Sequence, residues 1–309
     1  MPNRTTTFTT SRAHSASWRG SLPILAAAIL WGSTGTAASL APAGTPAVAI
    51  GSAGLALGGL LLFLIRRGNR LRPSTSERLL LMLGACAVAG YPVTFYPALA
   101  RTGVAVATVI ALGSAPVLAG PLSWLTGGGR PTTRWALATL LAVIGCAVLI
   151  AGRQIGVPAP GIDGLGVVLA VCAGLAYAVY SLIGSILIAR GHSSGKVMGT
   201  MFGVAALLVL PVVIGSGITW LTTARGAAVV LHLALFTTLL AYRLFGYGLQ
   251  HTTVESATTL TLAEPAVAAV LGVTVVGERL PMLSWSGMAM LAAGLALLTV
   301  PAARRAVSP

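Results

Sequence analysis

The chain has 309 residues, of which 56% are hydrophobic and 8% charged. A water-soluble domain carries about a quarter charged residues, so this composition excludes a protein that faces water throughout and predicts one that faces lipid. The net charge of +14 asks for a partner, but the arginines sit in short segments between apolar runs with no interleaved aromatics, which excludes a nucleic-acid surface and fits an inner-membrane protein.

Residues 1–20 are rich in Ser and Thr and carry Arg4, Arg12 and Arg19, the composition of a solvated, disordered tail. Apolar runs long enough to span a bilayer core then fall at 22–40, 46–66, 79–100, 103–125, 134–152, 164–189, 197–218, 226–249, 253–276 and 282–301. None alternates with a period of two, so the fold class is an all-α integral membrane protein with ten transmembrane helices. Residues 303–309 form a second polar tail. Cys86, Cys146 and Cys172 all lie inside apolar runs, which predicts small packing residues and no disulfide framework.

With the N-terminus inside, the inside segments hold fourteen Lys and Arg residues and the outside loops hold four, Arg101, Arg153, Arg225 and Arg279. This bias predicts a multi-pass protein of the plasma (inner) membrane with both termini in the cytoplasm.

A shift of 149 residues lays Ser114-Ala115-Pro116 over Ala263-Glu264-Pro265, Gly128-Gly129-Arg130 over Gly277-Glu278-Arg279, and Gly145 over Gly294. A shift of 145 lays Gly54 and Gly58 over Gly199 and Gly203, glycine pairs that read as close helix contacts. A shift of 144 lays the first span over the sixth. The chain thus reads as two five-span halves, residues 21–152 and 163–302. An odd number of spans per half inverts one half relative to the other, as in many secondary transporters, whose substrate site lies at the bilayer midplane between the halves.

The run Leu30-Trp31-Gly32-Ser33 resembles the signature of the EamA family in the drug/metabolite transporter superfamily. So does Leu262-Ala263-Glu264-Pro265-Ala266-Val267-Ala268-Ala269-Val270-Leu271-Gly272, followed by Gly277-Glu278-Arg279-Leu280. The resemblance covers roughly residues 20–302. It implies a five-plus-five transporter of small metabolites, often amino acids or related compounds, and favours export. The first half departs from the pattern, with Ala115 opposite Glu264 and Gly129 opposite Glu278, so a mechanism needing a carboxylate in both halves does not fit.

Five residues are candidates for substrate binding: Trp31, Tyr91, Tyr177, Arg243 and Glu264. Glu264 lies near the middle of the ninth span, where a charged carboxylate costs about 2.5–3.5 kcal/mol, so it faces the bundle interior, pairs with a cation or holds a proton. Pro265 cannot donate to the Thr261 carbonyl, which predicts a free acceptor beside the acid. Arg243 is the one cation well inside a span, about 10 Å deep against about 18 Å for Glu264. It pairs with Glu264, meets a substrate carboxylate, or snorkels to the interface. Trp31, Tyr91 and Tyr177 line a pocket or merely pack helices. For Glu264 the competing reading is that it pins a helix end.

No phosphate loop, metal-ligand spacing or nucleophile elbow is present, so no enzyme, cofactor or metal is expected. The expected partners are a small-molecule substrate and the lipid bilayer, with Glu264 as the carrier if a proton is coupled; the oligomeric state is open. The reading is a secondary transporter working by alternating access. The alternative is a non-transport membrane scaffold or sensor.

Overall fold

The computed structural model describes residues 9–66, 73–154, 163–277 and 279–300. Arg4, Arg67, Arg70, Arg72, Glu278, Arg304 and Arg305 lie outside these ranges, so the readings above that use them are not addressed by it. Among the described residues there are helices and no strands, and nine helices are long and apolar enough to cross a membrane.

Helix α1 spans Thr9–Gly32, and the short α2 follows at Thr34–Ser39. The disordered tail expected to residue 20 is therefore corrected: the chain is helical from Thr9. Extending a helix from an existing apolar span costs little, because nucleation has already occurred. Helix α3 covers Ala47–Leu64.

Helix α4 covers Thr75–Leu125, 51 residues. At 1.5 Å per residue it is more than twice as long as a ~30 Å hydrocarbon core. It breaks at Gly103, whose φ of 79° and ψ of 159° are accessible to glycine and strained for other residues. Its start is fixed by a capping box between Ser74 and Glu77. Helices α5 (Thr133–Arg153), α6 (Gly164–Ala189) and α7 (Ser194–Gly215) follow. Asp163 caps α6 by accepting from the Leu165 amide and also pairs with Arg101, tying the α4 bend to the start of α6. The Arg101 guanidinium, then the Leu165 amide, hold the Asp163 carboxyl below its usual range. Its pKa is depressed, so this tie is present at neutral pH and is lost only as pH falls through that lowered value.

The next span is compound: α8 (Ala224–His232), a π-helical segment Leu233–Leu240, and α9 (Ala241–Leu249). So is the one after it: α10 (Val254–Leu260) and α11 (Ala263–Leu271) are separated by a break at Thr261–Leu262. Helix α12 covers Met282–Thr299.

Small residues decide how these helices meet. A Cβ on Gly145 would land on the Leu291 amide and Gly287 carbonyl, and one on Gly294 would land on the Ala138 carbonyl and Ala142 amide. The second contact set is the first displaced by 149 residues and exchanged between α5 and α12. Helix α6 lies between the two limbs of α4, with Gly84 against Ile183 and Gly174 against Ala111 and Ala115. Helix α1 takes a similar place, with Gly248 against Ile24 and Gly32 against Glu264 and Val267. The glycine pairs Gly199/Gly203 and Gly54/Gly58 are contacts within the chain, as expected. The first pair meets Leu62 and Phe63 of α3, and the second meets Leu233, Ala234 and Thr238.

Candidate functional site

Three helix irregularities converge: the α1–α2 break, the π segment and the α10–α11 break. Between them lies a cavity of about 160 Å³. Trp31 and Thr34 enter it from the first break, Thr237 and Thr238 from the π segment, and Glu264 from the first turn of α11. Tyr91 and Tyr96 of α4, Tyr177 and Tyr180 of α6, Phe202 of α7 and Tyr242 of α9 complete the wall.

The α10–α11 break has a local cause. Pro265 lacks an N–H, so the regular bond to the Thr261 carbonyl is absent. The Glu264 amide donates to that carbonyl instead, at 3.0 Å. This corrects the sequence expectation of a free acceptor: the tighter turn satisfies the carbonyl. The Thr261 hydroxyl donates to the Thr258 carbonyl (2.8 Å) and accepts from the Tyr177 hydroxyl (2.8 Å), so Tyr177 fixes the break. At the π segment, wider turns redirect backbone carbonyls, and Trp31 Nε1 donates to the Thr237 carbonyl at 2.8 Å. Gly32 lets α1 approach α11: a Cβ there would meet Val267 at 2.7 Å and the Glu264 carbonyl at 3.0 Å. The two sequence signatures, Trp31-Gly32-Ser33 and Glu264-Pro265, therefore touch.

The rings form a continuous set. Trp31 lies 4.9 Å from Tyr242, 5.6 Å from Phe245 and 6.5 Å from Tyr177. Tyr91 lies 6.4 Å from Tyr177, and the Tyr180 and Tyr242 hydroxyls are 3.1 Å apart. Among the described residues, no hydrogen bond or ion pair engages the Glu264 carboxylate, which is only partly buried.

Of the five sequence candidates, Trp31, Tyr91, Tyr177 and Glu264 line this cavity. Arg243 does not. Its side chain is exposed on the outer side of α9 and makes no ion pair with Glu264, while its neighbour Tyr242 points inward. Glu255, on α10, has one carboxylate oxygen, Oε2, that is enclosed without a hydrogen-bond partner among the described residues. Tyr180, Tyr242 and Thr238 are lining residues that the sequence reading missed. Tyr180 had a signal, lying one turn from Tyr177 on the same helix.

Replacing Tyr177 with Phe is expected to destabilise the fold by about 1 kcal/mol, since it removes one buried hydrogen bond and leaves the Thr261 acceptor unpaired. Thermal unfolding in detergent checks this; an unchanged midpoint contradicts the role given to the hydroxyl.

The EamA-like transporter family matches residues 18–151 and 164–300. The chain belongs to this family. The EamA relatives are transporters of the drug/metabolite transporter superfamily, multi-pass membrane proteins that act on small molecules. This EamA protein is 37% identical over 280 residues to the uncharacterized transporter YwfM of Bacillus subtilis (strain 168), covering 90% of this chain and 93% of that one. It is 29% identical over 262 residues to the threonine/homoserine exporter RhtA of Escherichia coli (strain K12), covering 83% of each. A solved crystal structure superposes with a TM-score of 0.75 over 90% of this chain and 95% of that one. At 22% identity this likeness speaks for the fold alone.

Proposed function

We propose that this EamA protein is a secondary exporter of a small zwitterion, an amino acid such as threonine or homoserine or a close relative. It works by alternating access between two inverted five-helix halves, and the Glu264 cavity is the midplane site. The observation that carries this reading is a carboxylate with no partner among the described residues, in a cavity lined by aromatic rings. A carboxylate attracts a substrate ammonium, and ring faces attract the same cation. The hydroxyls of Thr34, Tyr91 and Tyr96 are donors for the substrate carboxylate. The exporters named among the relatives support both the substrate class and the direction.

The exchange of contacts between α5 and α12 at a spacing of 149 residues supports the repeat. Counting the two limbs of α4 separately turns nine long helices into ten crossings. The cation bias supports an inner-membrane location with both termini cytoplasmic. Glu264 is the group that would carry a coupled proton.

The test is counterflow. Purified protein in proteoliposomes preloaded with threonine or homoserine should take up labelled threonine saturably, and trans-substrate should accelerate uptake. A pore gives flux without saturation or trans-acceleration. A scaffold or sensor gives none across a panel of amino acids and organic acids.

A further inference from the structure

A second cavity, of about 590 Å³, opens at the end of the bundle reached by α2 and the start of α8. Ser33, Thr36 and Ser39 line one side, and Arg225 and His232 line the other. Among the described residues no acidic side chain lines it. Among the described residues no ion pair or hydrogen bond engages Arg225, whereas Arg101, expected on the same side of the membrane, is held by Asp163.

A thin wall separates this cavity from the inner one. Ser33 faces the outer cavity and Thr34 the inner; His232 faces the outer and Leu233 the inner. Two pairs of consecutive residues thus make the partition, at the α1–α2 break and at the start of the π segment. One hydrogen bond ties them, between Ser33 Oγ and His232 Nε2 at 2.9 Å. The Ser33 hydroxyl hydrogen goes to the Leu30 carbonyl at 2.6 Å, so the serine accepts from the His232 N–H.

We propose that this outer cavity is a separate binding station for a small organic carboxylate, with Arg225 as its cation, on the route between the Glu264 cavity and the far face. The inference rests on the transport reading above for its place on a route. Its binding chemistry does not. A guanidinium presents two parallel N–H donors that match the two oxygens of a carboxylate. The Thr36 hydroxyl stands on the opposite wall to add a donor, whereas the Ser39 hydroxyl is held by the Thr36 carbonyl at 2.8 Å. A substrate whose ammonium leads at Glu264 meets a complementary charge for its other end here. The Ser33–His232 bond must part for passage between the two stations.

The test uses the full chain with Cys86, Cys146 and Cys172 replaced by Ser and Ala228→Cys as reporter, because Ala228 lines the cavity and is exposed. Ser39→Cys is the second reporter in case the first fails to fold. A membrane-impermeant thiol reagent is applied to proteoliposomes at constant ionic strength. Acetate and threonine should slow modification, and threonine amide should not. Adding Arg225→Gln should abolish the protection, and should raise the KM for threonine about tenfold from the far face while leaving it unchanged from the other. Absence of acetate protection, or protection that survives Arg225→Gln, overturns the station. Acetate protection together with absent threonine counterflow keeps the anion site but overturns its place on a transport route, and with it the transport reading.

Discussion

Glu264→Gln is expected to weaken threonine binding by about 2–3 kcal/mol, roughly 30- to 150-fold, while leaving the folded protein intact. The two halves of this expectation come from one fact. Among the described residues the carboxylate makes no hydrogen bond or ion pair, so the isosteric amide removes no internal contact and unfolding temperature should hold or rise. The charge that would meet a substrate ammonium is lost. If Glu264 also carries a proton, the pH dependence of counterflow should flatten in the same variant. Isothermal binding and counterflow, read beside thermal unfolding, separate the outcomes. A variant that transports normally with unchanged pH dependence removes Glu264 from the mechanism. One that unfolds would instead make it a structural pin.

Gly287→Val is expected to destabilise the protein by about 3 kcal/mol or more, enough to lose a monodisperse species in detergent. The added Cβ would meet the Leu149 amide and, at 2.7 Å, the Gly145 carbonyl. These are backbone atoms of α5 and cannot rotate away. The crossing would have to open along its length, and in a bilayer close packing of this kind is a main source of helix association. Gly195→Ala, where a Cβ meets nothing within 4 Å, should stay within about 0.5 kcal/mol. If Gly287→Val matches that control, the α5–α12 contact is not as described.

Much of this was legible in the sequence because the bilayer imposes lengths and leaves few ways to satisfy a backbone. Apolar runs near 20 residues located the helices, and Gly103 fell where two spans were expected to part. Glu264 stood out because a midplane acid is expensive and must be accounted for. Gly32 beside Trp31 was visible as a motif, but its role was not. That role depends on α1 touching α11, a contact between residues more than 200 positions apart.

Counting along a regular helix gives the depth of Arg243 but leaves open whether it meets Glu264, a substrate carboxylate or the interface. The π segment Leu233–Leu240 lies just before Arg243, and extra residues per turn rotate everything that follows by about 100° each. Tyr242 therefore faces inward and Arg243 outward. No capping residue or proline marks the π segment, whose sequence Leu-Ala-Leu-Phe-Thr-Thr-Leu-Leu suits a regular helix equally well. Similarly, composition described residues 9–20 as polar, which they are, but did not reveal that the span behind them extends its helix.

Under the proposed function the cavity recognises an ammonium through Glu264 and the surrounding rings. The most direct measurement is competition in threonine counterflow between threonine and N-acetylthreonine, which keeps the carboxylate and hydroxyl but removes the positive charge. Threonine should compete at its own KM, and N-acetylthreonine should be weaker by about two orders of magnitude. Equal competition by the two compounds would contradict the account.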